Sequence, residues 1–319
     1  MNNKEKYKDF CRSEVNIPIF SQYWWLDAVC GHENWDAVII EKGGLITATL
    51  PYMLVNKYGL CFITMPPLTK ALGPWLRAYD GKIAAQYAHQ KELFTKLIQS
   101  LPRFDYFCQN FHPMITNWLP FFWQGFKQTT FYTYVLDDLR DLQKIFNGFQ
   151  GNARREIKKA EQRYKLHIRW DIDIDSFLDL YEMTFSRQKI PMPHSKEIVH
   201  RIDATCASRN ARKIIGAEDA EGRLHAALYI IWDQHSAYYL MGGSEPNLRN
   251  SGAKSFCMWE AIKFASKVTQ RFDFEGSMLQ PVERFFRGFG AKQIPYFRIT
   301  CETKLMKRLR ALKNLIQPK

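Results

Sequence analysis

The chain carries nearly the same block twice. RFDYF stands at 103–107 and RFDFE at 271–275, and each is followed by a second shared stretch, FFWQGFKQ at 121–128 and FFRGFGAKQ at 285–293. The predicted elements around the two blocks also recur in one order, so repetition constrains this fold more than any compositional total. In the first half, Ser21 is placed to cap a helix over 25–29 that stops at Gly31. Strands are expected at 35–41, 45–55 and 60–65, with a glycine turn at Lys42-Gly43-Gly44. A proline-rich loop, a helix over 83–101 and strands at 104–109 and 129–136 complete the half. The second half predicts helices over 174–187 and 195–209 and strands at 213–218, 224–232 and 237–241. A helix over 253–268 and strands at 272–275 and 296–301 follow.

Each copy therefore reads as three meandering strands, a crossover helix, a strand, a short helix and a last strand. Hairpin strands pair antiparallel, and a strand–helix–strand crossover pairs parallel. The expected class is α/β (α+β) with mixed sheets, in two tandem domains, 1–145 and 146–302. A C-terminal helix over 303–319 is expected to pack back on the first domain. A mixed sheet splays where antiparallel pairing gives way to parallel, and the crevice is suited to a ligand.

Hydrophobic residues at 46% and aromatics at 15% supply ample cores. No run approaches the ~20 apolar residues of a spanning helix, and the polar start MNNKEKYKDF lacks the apolar run of a secretory signal. The expected location is cytoplasmic, with contact to the inner membrane face at most peripheral. Seven scattered cysteines without a CxxC pair, and eight histidines without ligand spacing, predict neither a metal site nor a disulfide framework. The net charge of +13 is concentrated: 151–165 and 303–319 hold ten of the thirteen. Such clusters attract nucleic acid, phosphorylated small molecules or anionic membrane. The first reads as a helix through Ile157, Ala160 and Tyr164, with Arg154, Arg155, Lys158 and Lys159 expected to line a groove between the two repeats. The second is amphipathic, with Leu305, Leu309, Leu312 and Ile316 on one face and Lys304, Lys307, Arg308 and Lys313 elsewhere.

A duplicated chain needs only one chemical site, so residues peculiar to one copy are informative. Copy two reads SAYYLMGGSEPNLRNSGAKSF at 236–256, with glycines at 242, 243 and 252. Arg249, Gly252, Ala253 and Lys254 stand at a helix start, where free N–H groups and cations suit a phosphate. The equivalent MPPLTKALGPWLRAYDGK at 65–82 is stiff with prolines, which lack N–H groups. Glu275 stands where copy one has Phe107, and strand alternation would put it on one face with Asp273, opposite Phe272 and Phe274. A carboxylate there could take a proton from an attacking amine. Tyr238 or Tyr239 could protonate a leaving group, and only one of two adjacent strand residues can face the crevice. Arg284 and Arg287, three apart, share a helix face and could both meet phosphates.

RNSGAK resembles the acyl-CoA pyrophosphate motif (Q/R)xxGx(G/A) of the GNAT acyltransferase superfamily: Arg249 and Gly252 match, and Lys254 stands where a small residue is expected. The tandem arrangement, NARREIKKAEQRY, YYLMGGS, FDFEGS and FFRGFGA together resemble the FemABX branch of that superfamily, over roughly 18–316. The resemblance implies transfer of an amino acid from aminoacyl-tRNA to the amino group of a peptidoglycan precursor. The family's FK-x-x-FG stretch stands as Phe286-Arg287-Gly288-Phe289-Gly290, so its lysine role falls on Arg287. The long coiled-coil hairpin of some members is absent.

The expected function is N-acyl transfer to an amine acceptor, on a phosphorylated cell-envelope precursor, from an acyl-CoA or aminoacyl-tRNA donor. Glu275, Tyr239 and Arg287 are the candidate catalytic residues. Arg249, Gly252, Ala253 and Lys254 are assigned to the donor, and Arg154, Arg155, Tyr238 and Arg284 to substrate. The alternative is a non-catalytic module of the same fold that binds RNA or an anionic envelope precursor through its basic segments.

Overall fold

The computed structural model describes residues 2–316, with side chains through Leu312. The strands are β1 (Trp35–Lys42), β2 (Leu45–Lys57), β3 (Leu60–Thr64), β4 (Trp75–Leu76), β5 (Tyr106–Asn110), β6 (Lys127–Leu136), β7 (His167–Arg169), β8 (Arg212–Glu218), β9 (Leu224–Trp232), β10 (Ala237–Ser244), β11 (Phe272–Asp273) and β12 (Lys292–Glu302). The helices are α1 (Asn3–Ser13), α2 (Tyr23–Cys30), α3 (Ile83–Gln99), α4 (Leu119–Trp123), α5 (Leu142–Gly148), α6 (Gly151–Lys158), α7 (Ile174–Ser186), α8 (Lys196–Ala207), α9 (Ala253–Ala265), α10 (Gln280–Arg287) and α11 (Lys304–Ile316). Among the described residues, no helix is long and apolar enough to cross a membrane.

One compact unit joins Met1–Phe131 to Pro295–Lys319. Its β1–β2 hairpin turns at Gly43 and Gly44, whose φ of 60° and 77° are the positive values a two-residue turn of this hand requires. β2 pairs antiparallel with β3, and the α3 crossover brings β5 parallel to β3. Residues 298–302 of β12 then pair antiparallel with β5. Leu50, Ile63, Phe94, Leu97, Phe107, Phe121 and Ile299 form the core. Asp105, the shared aspartate of the repeated block, is buried and accepts the Cys61 amide at 3.0 Å.

The second unit is Tyr132–Ile294. β8, β9 and β10 form an antiparallel meander with β7 on the β8 edge. The α9 crossover sets β11 parallel to β10, and residues 135–136 of β6 pair antiparallel with β11. One face is covered by α9, with Cys257, Ala261, Ile262 and Ala265 fully buried. α7 crosses at β10, so close that a Cβ on Gly243 would overlap the Leu180 carbonyl.

The units divide inside β6 and β12, at 131/132 and 294/295, rather than at 145/146 and 302/303. The strand that closes each repeat in the sequence pairs with the other repeat's strands, and so falls in that repeat's unit: 135–136 with β11 and 298–302 with β5. Three local expectations also change. Ser21 lies in a 3-10 turn and caps nothing; α2 starts at Tyr23. The basic segment after Gly151 is α6 followed by a π-helical turn, Lys159–Arg163. The strand expected over 272–275 keeps ladder pairing only at Phe272 and Asp273.

α11 meets its unit through Arg310, which pairs with Glu302 and lies 5.3 Å over the Tyr106 ring. Leu305, Leu309 and Leu312, on the apolar face expected to dock, are 52%, 42% and 55% exposed. The side chains of Lys313 and Ile316, assigned to this helix above, lie outside the described residues.

Candidate active site

β10 and β11 pair only at Ala237–Phe272 and Tyr238–Asp273. Beyond that point β10 continues to Ser244 while β11 stops, so the two strands part. Tyr239 on β10 is the first residue past the parting, and Glu275 stands two beyond the end of β11. The sequence makes the break at Asp273. Its carboxylate accepts the Glu275 amide at 2.7 Å and the Thr133 hydroxyl, which turns the chain out of the strand. Glu275 takes φ 59°, a left-handed conformation that costs a non-glycine residue roughly 1–2 kcal/mol. It is nevertheless only 6% exposed. A buried acid held in strained backbone at a strand split is where functional strain accumulates.

The two tyrosines separate as alternation requires. The Tyr239 ring packs edge-on to Phe286 of α10, at 5.7 Å between centroids, and Phe286 in turn packs 5.5 Å from Phe274. Burial raises its phenol pKa, and neighbouring Tyr181 and the Glu275 carboxylate raise it further. Tyr239 therefore stays protonated at neutral pH and is a proton donor. The Tyr238 hydroxyl lies 3.5 Å from Asp233 instead, and burial with the nearby Asp233 and Asp273 carboxylates raises its pKa strongly. Of the pair, Tyr239 lies on the α10 side.

Arg287 ends α10 and is engaged within it. Its Nε donates to Glu283 Oε1 at 2.8 Å, one helical turn back. The same oxygen accepts the Tyr134 hydroxyl at 2.8 Å, and Gln293 donates to Tyr134 at 2.7 Å. These hydrogen bonds, from Tyr134 first and then Arg287, hold the Glu283 carboxyl below its usual range. Sequence reasoning missed Glu283, although its four-residue spacing from Arg287 is a readable helix pair. Tyr134 and Gln293 come from distant strands and leave no local signal. Arg284 is exposed, on the solvent side of α10.

The RNSGAK residues span the end of the 3-10 turn Pro246–Ser251 and the start of α9. Gly252 does adopt φ 82°, as the N-cap of α9. The group that approaches it is the Glu156 carbonyl of α6, which a Cβ would overlap. Ala253 is buried, and its amide reaches Ser251 Oγ at 3.4 Å. Arg249 is exposed in the 3-10 turn Pro246–Ser251. Lys254 lies 5.0 Å over the Phe285 ring, and burial, with Arg249 beside it, lowers its pKa.

Arg154 and Arg155 do share a groove. With Lys158, Gln143, Phe146, Asn147 and Gly151 they line a cavity of about 510 Å³ between α5 and α6, without a carboxylate. Arg154 donates to the Asn147 carbonyl at 3.1 Å, while Arg155 and Lys158 are exposed. The Gln150 amide, at the entry to α6, donates to the Gly288 carbonyl at 2.9 Å, which ties this groove to the end of α10 beside Arg287. Among the described residues, no group of three His, Cys, Asp or Glu side chains is placed to hold a metal.

Residues 147–286 match the acetyltransferase (GNAT) domain family. That stretch holds every candidate site residue except Arg287. No curated protein matches the chain significantly in sequence. Among solved structures, FemX is similar at 12% identity, over 93% of this chain and 96% of that one, with a TM-score of 0.67. L-PGS from Bacillus licheniformis is similar at 11% identity, over 99% and 97%, with a TM-score of 0.54. A conserved protein of unknown function from Bacteroides thetaiotaomicron VPI-5482 is similar at 11% identity, over 94% and 97%, with a TM-score of 0.56. The likeness to the solved structures is one of fold: over 93% of its length the chain has a FemX-like fold, and residues 147–286 of it match the GNAT domain family.

Proposed function

We propose that this Fem-like GNAT chain is an N-acyltransferase that moves an aminoacyl group from tRNA to the amine of a phosphorylated cell-envelope precursor. The observation that carries the reading is Glu275, a buried carboxylate in left-handed backbone where β10 and β11 part. The acceptor amine attacks the ester carbonyl of the donor, and a C–N bond forms as the C–O bond breaks. Glu275 accepts the proton the amine loses, and the Tyr239 hydroxyl gives one to the departing ribose oxygen. Arg287, held by Glu283, positions the phosphate-bearing part of a substrate at the end of α10.

One feature favours aminoacyl-tRNA over acyl-CoA: the carboxylate-free groove of Arg154, Arg155 and Lys158 offers a polyanion a seat. A tRNA donor would confine the reaction to the cytoplasm.

The test is transfer of a radiolabelled amino acid from charged tRNA to a muropeptide amine. Glu275→Gln should lower kcat by about 10²–10⁴ with KM little changed. Unchanged turnover removes the base role. A saturable thermal shift with acetyl-CoA and none with charged tRNA would overturn the donor assignment.

A further inference from the structure

We propose that α11 is a membrane-surface helix that lays its leucine stripe into an anionic phospholipid bilayer. This is independent of the acyl-transfer reading. Leu305, Leu309 and Leu312 recur at four and three residues, so they fall within about 60° of one another around the helix. All three are roughly half exposed, whereas the helix meets its own unit through Arg310. Lys304, Lys307 and Arg308 are exposed and, among the described residues, have no ion-pair partner. Residues 303–319 contain no acid at all.

The chemistry of the face selects the occupant. A nucleic acid would neutralise the cations but leave three leucines in water. A second copy would bring the same cations against each other on a chain that already carries +13. A bilayer with anionic headgroups satisfies both, because apolar side chains enter the acyl boundary while lysine and arginine meet phosphate. Each cation near such a surface strengthens binding roughly fivefold.

The experiment is co-sedimentation of the full chain with vesicles of phosphatidylcholine alone and of phosphatidylcholine mixed with phosphatidylglycerol, an anionic lipid. The chain should bind the anionic vesicles, bind the neutral ones weakly, and release as salt is raised. The variants L305S/L309S/L312S and K304E/K307E/R308E should each lose roughly 100-fold in affinity while melting at the parent temperature. No binding to anionic vesicles overturns the proposal, and so does binding that survives both variants. A leucine variant that changes the sedimentation mass without affecting vesicles would assign the face to a second copy. Loss of tRNA binding in the cation variant, without vesicle binding by the parent, would assign it to RNA. Either result also overturns the proposal.

Discussion

Gly252→Ala separates a glycine needed for ligand approach from one needed for packing. The new methyl meets two penalties. An alanine held at φ 82° in the left-handed region costs roughly 1–2 kcal/mol. The Cβ also overlaps the Glu156 carbonyl, so α6 must withdraw from α9. That withdrawal loosens Ile157 and Ala160, which are 1% and 0% exposed, and overpacking of this kind costs about 1–3 kcal/mol. The expected total is about 2–5 kcal/mol. Amide hydrogen exchange read on α6 and α9 reports it locally, which avoids assuming one transition for a chain of two units. Exchange there should accelerate on the order of 10²-fold, while β1 and β2 are unchanged. Gly151→Ala is the control, since a Cβ there meets nothing within 4 Å, and it should shift exchange by less than about 0.5 kcal/mol. If Gly252→Ala leaves exchange unaltered but abolishes binding of a CoA donor, the packing argument fails and the cradle is open.

Three further outcomes are expected. Glu275→Gly should stabilise the second unit by about 1 kcal/mol in denaturant titration while activity is lost, because glycine relieves the strain at φ 59°; a destabilised variant refutes the strain. Lys254→Met should raise stability at neutral pH, because the lowered lysine pKa means the unfolded chain binds the proton more readily. Its advantage should fade as pH rises toward the unfolded lysine value of about 10.4, so a stability difference flat from pH 7 to 11 counts against it. Arg155→Ala with Lys158→Ala should reduce the salt slope of tRNA binding by about 1–2, and an unchanged slope would remove the α5–α6 groove from the tRNA path.

The repeated block was legible because its physics is local. In both copies a crossover helix leads to a strand marked by an aspartate, Asp105 just before β5 and Asp273 at the end of β11, and the turn glycines at 43 and 44 carry their conformation in their identity. What escaped was non-local. The strand that closes each repeat has the same pattern whichever sheet it joins, so nothing in residues 129–136 or 296–301 announces that they pair across the repeat order. α1 was hidden by composition: its charged residues conceal Tyr7, Phe10 and Cys11, which recur at three and one and are buried. The leucines of α11 showed the opposite fault, since amphipathicity predicts an apolar contact without naming its partner.

Glu275 and Gly252 mark the same limit at the candidate site. Glu275 was singled out because the other copy has phenylalanine there, but strand alternation would have kept it in extended backbone. The structure puts it at φ 59° because Asp273, the residue the copies share, captures its amide. The common aspartate builds the turn, and the unique glutamate occupies it. In Gly252 the motif was read as a demand for close approach, and the fold brings the Glu156 carbonyl against it. A phosphate and a main-chain carbonyl both require the missing Cβ, and both are drawn to the positive end of a helix. Sequence can state that a glycine clears space, and only the fold says what fills it. The groove that α6 lines with α5, with Arg155 and Lys158 exposed and no acid in its lining, is a second candidate for an anionic substrate.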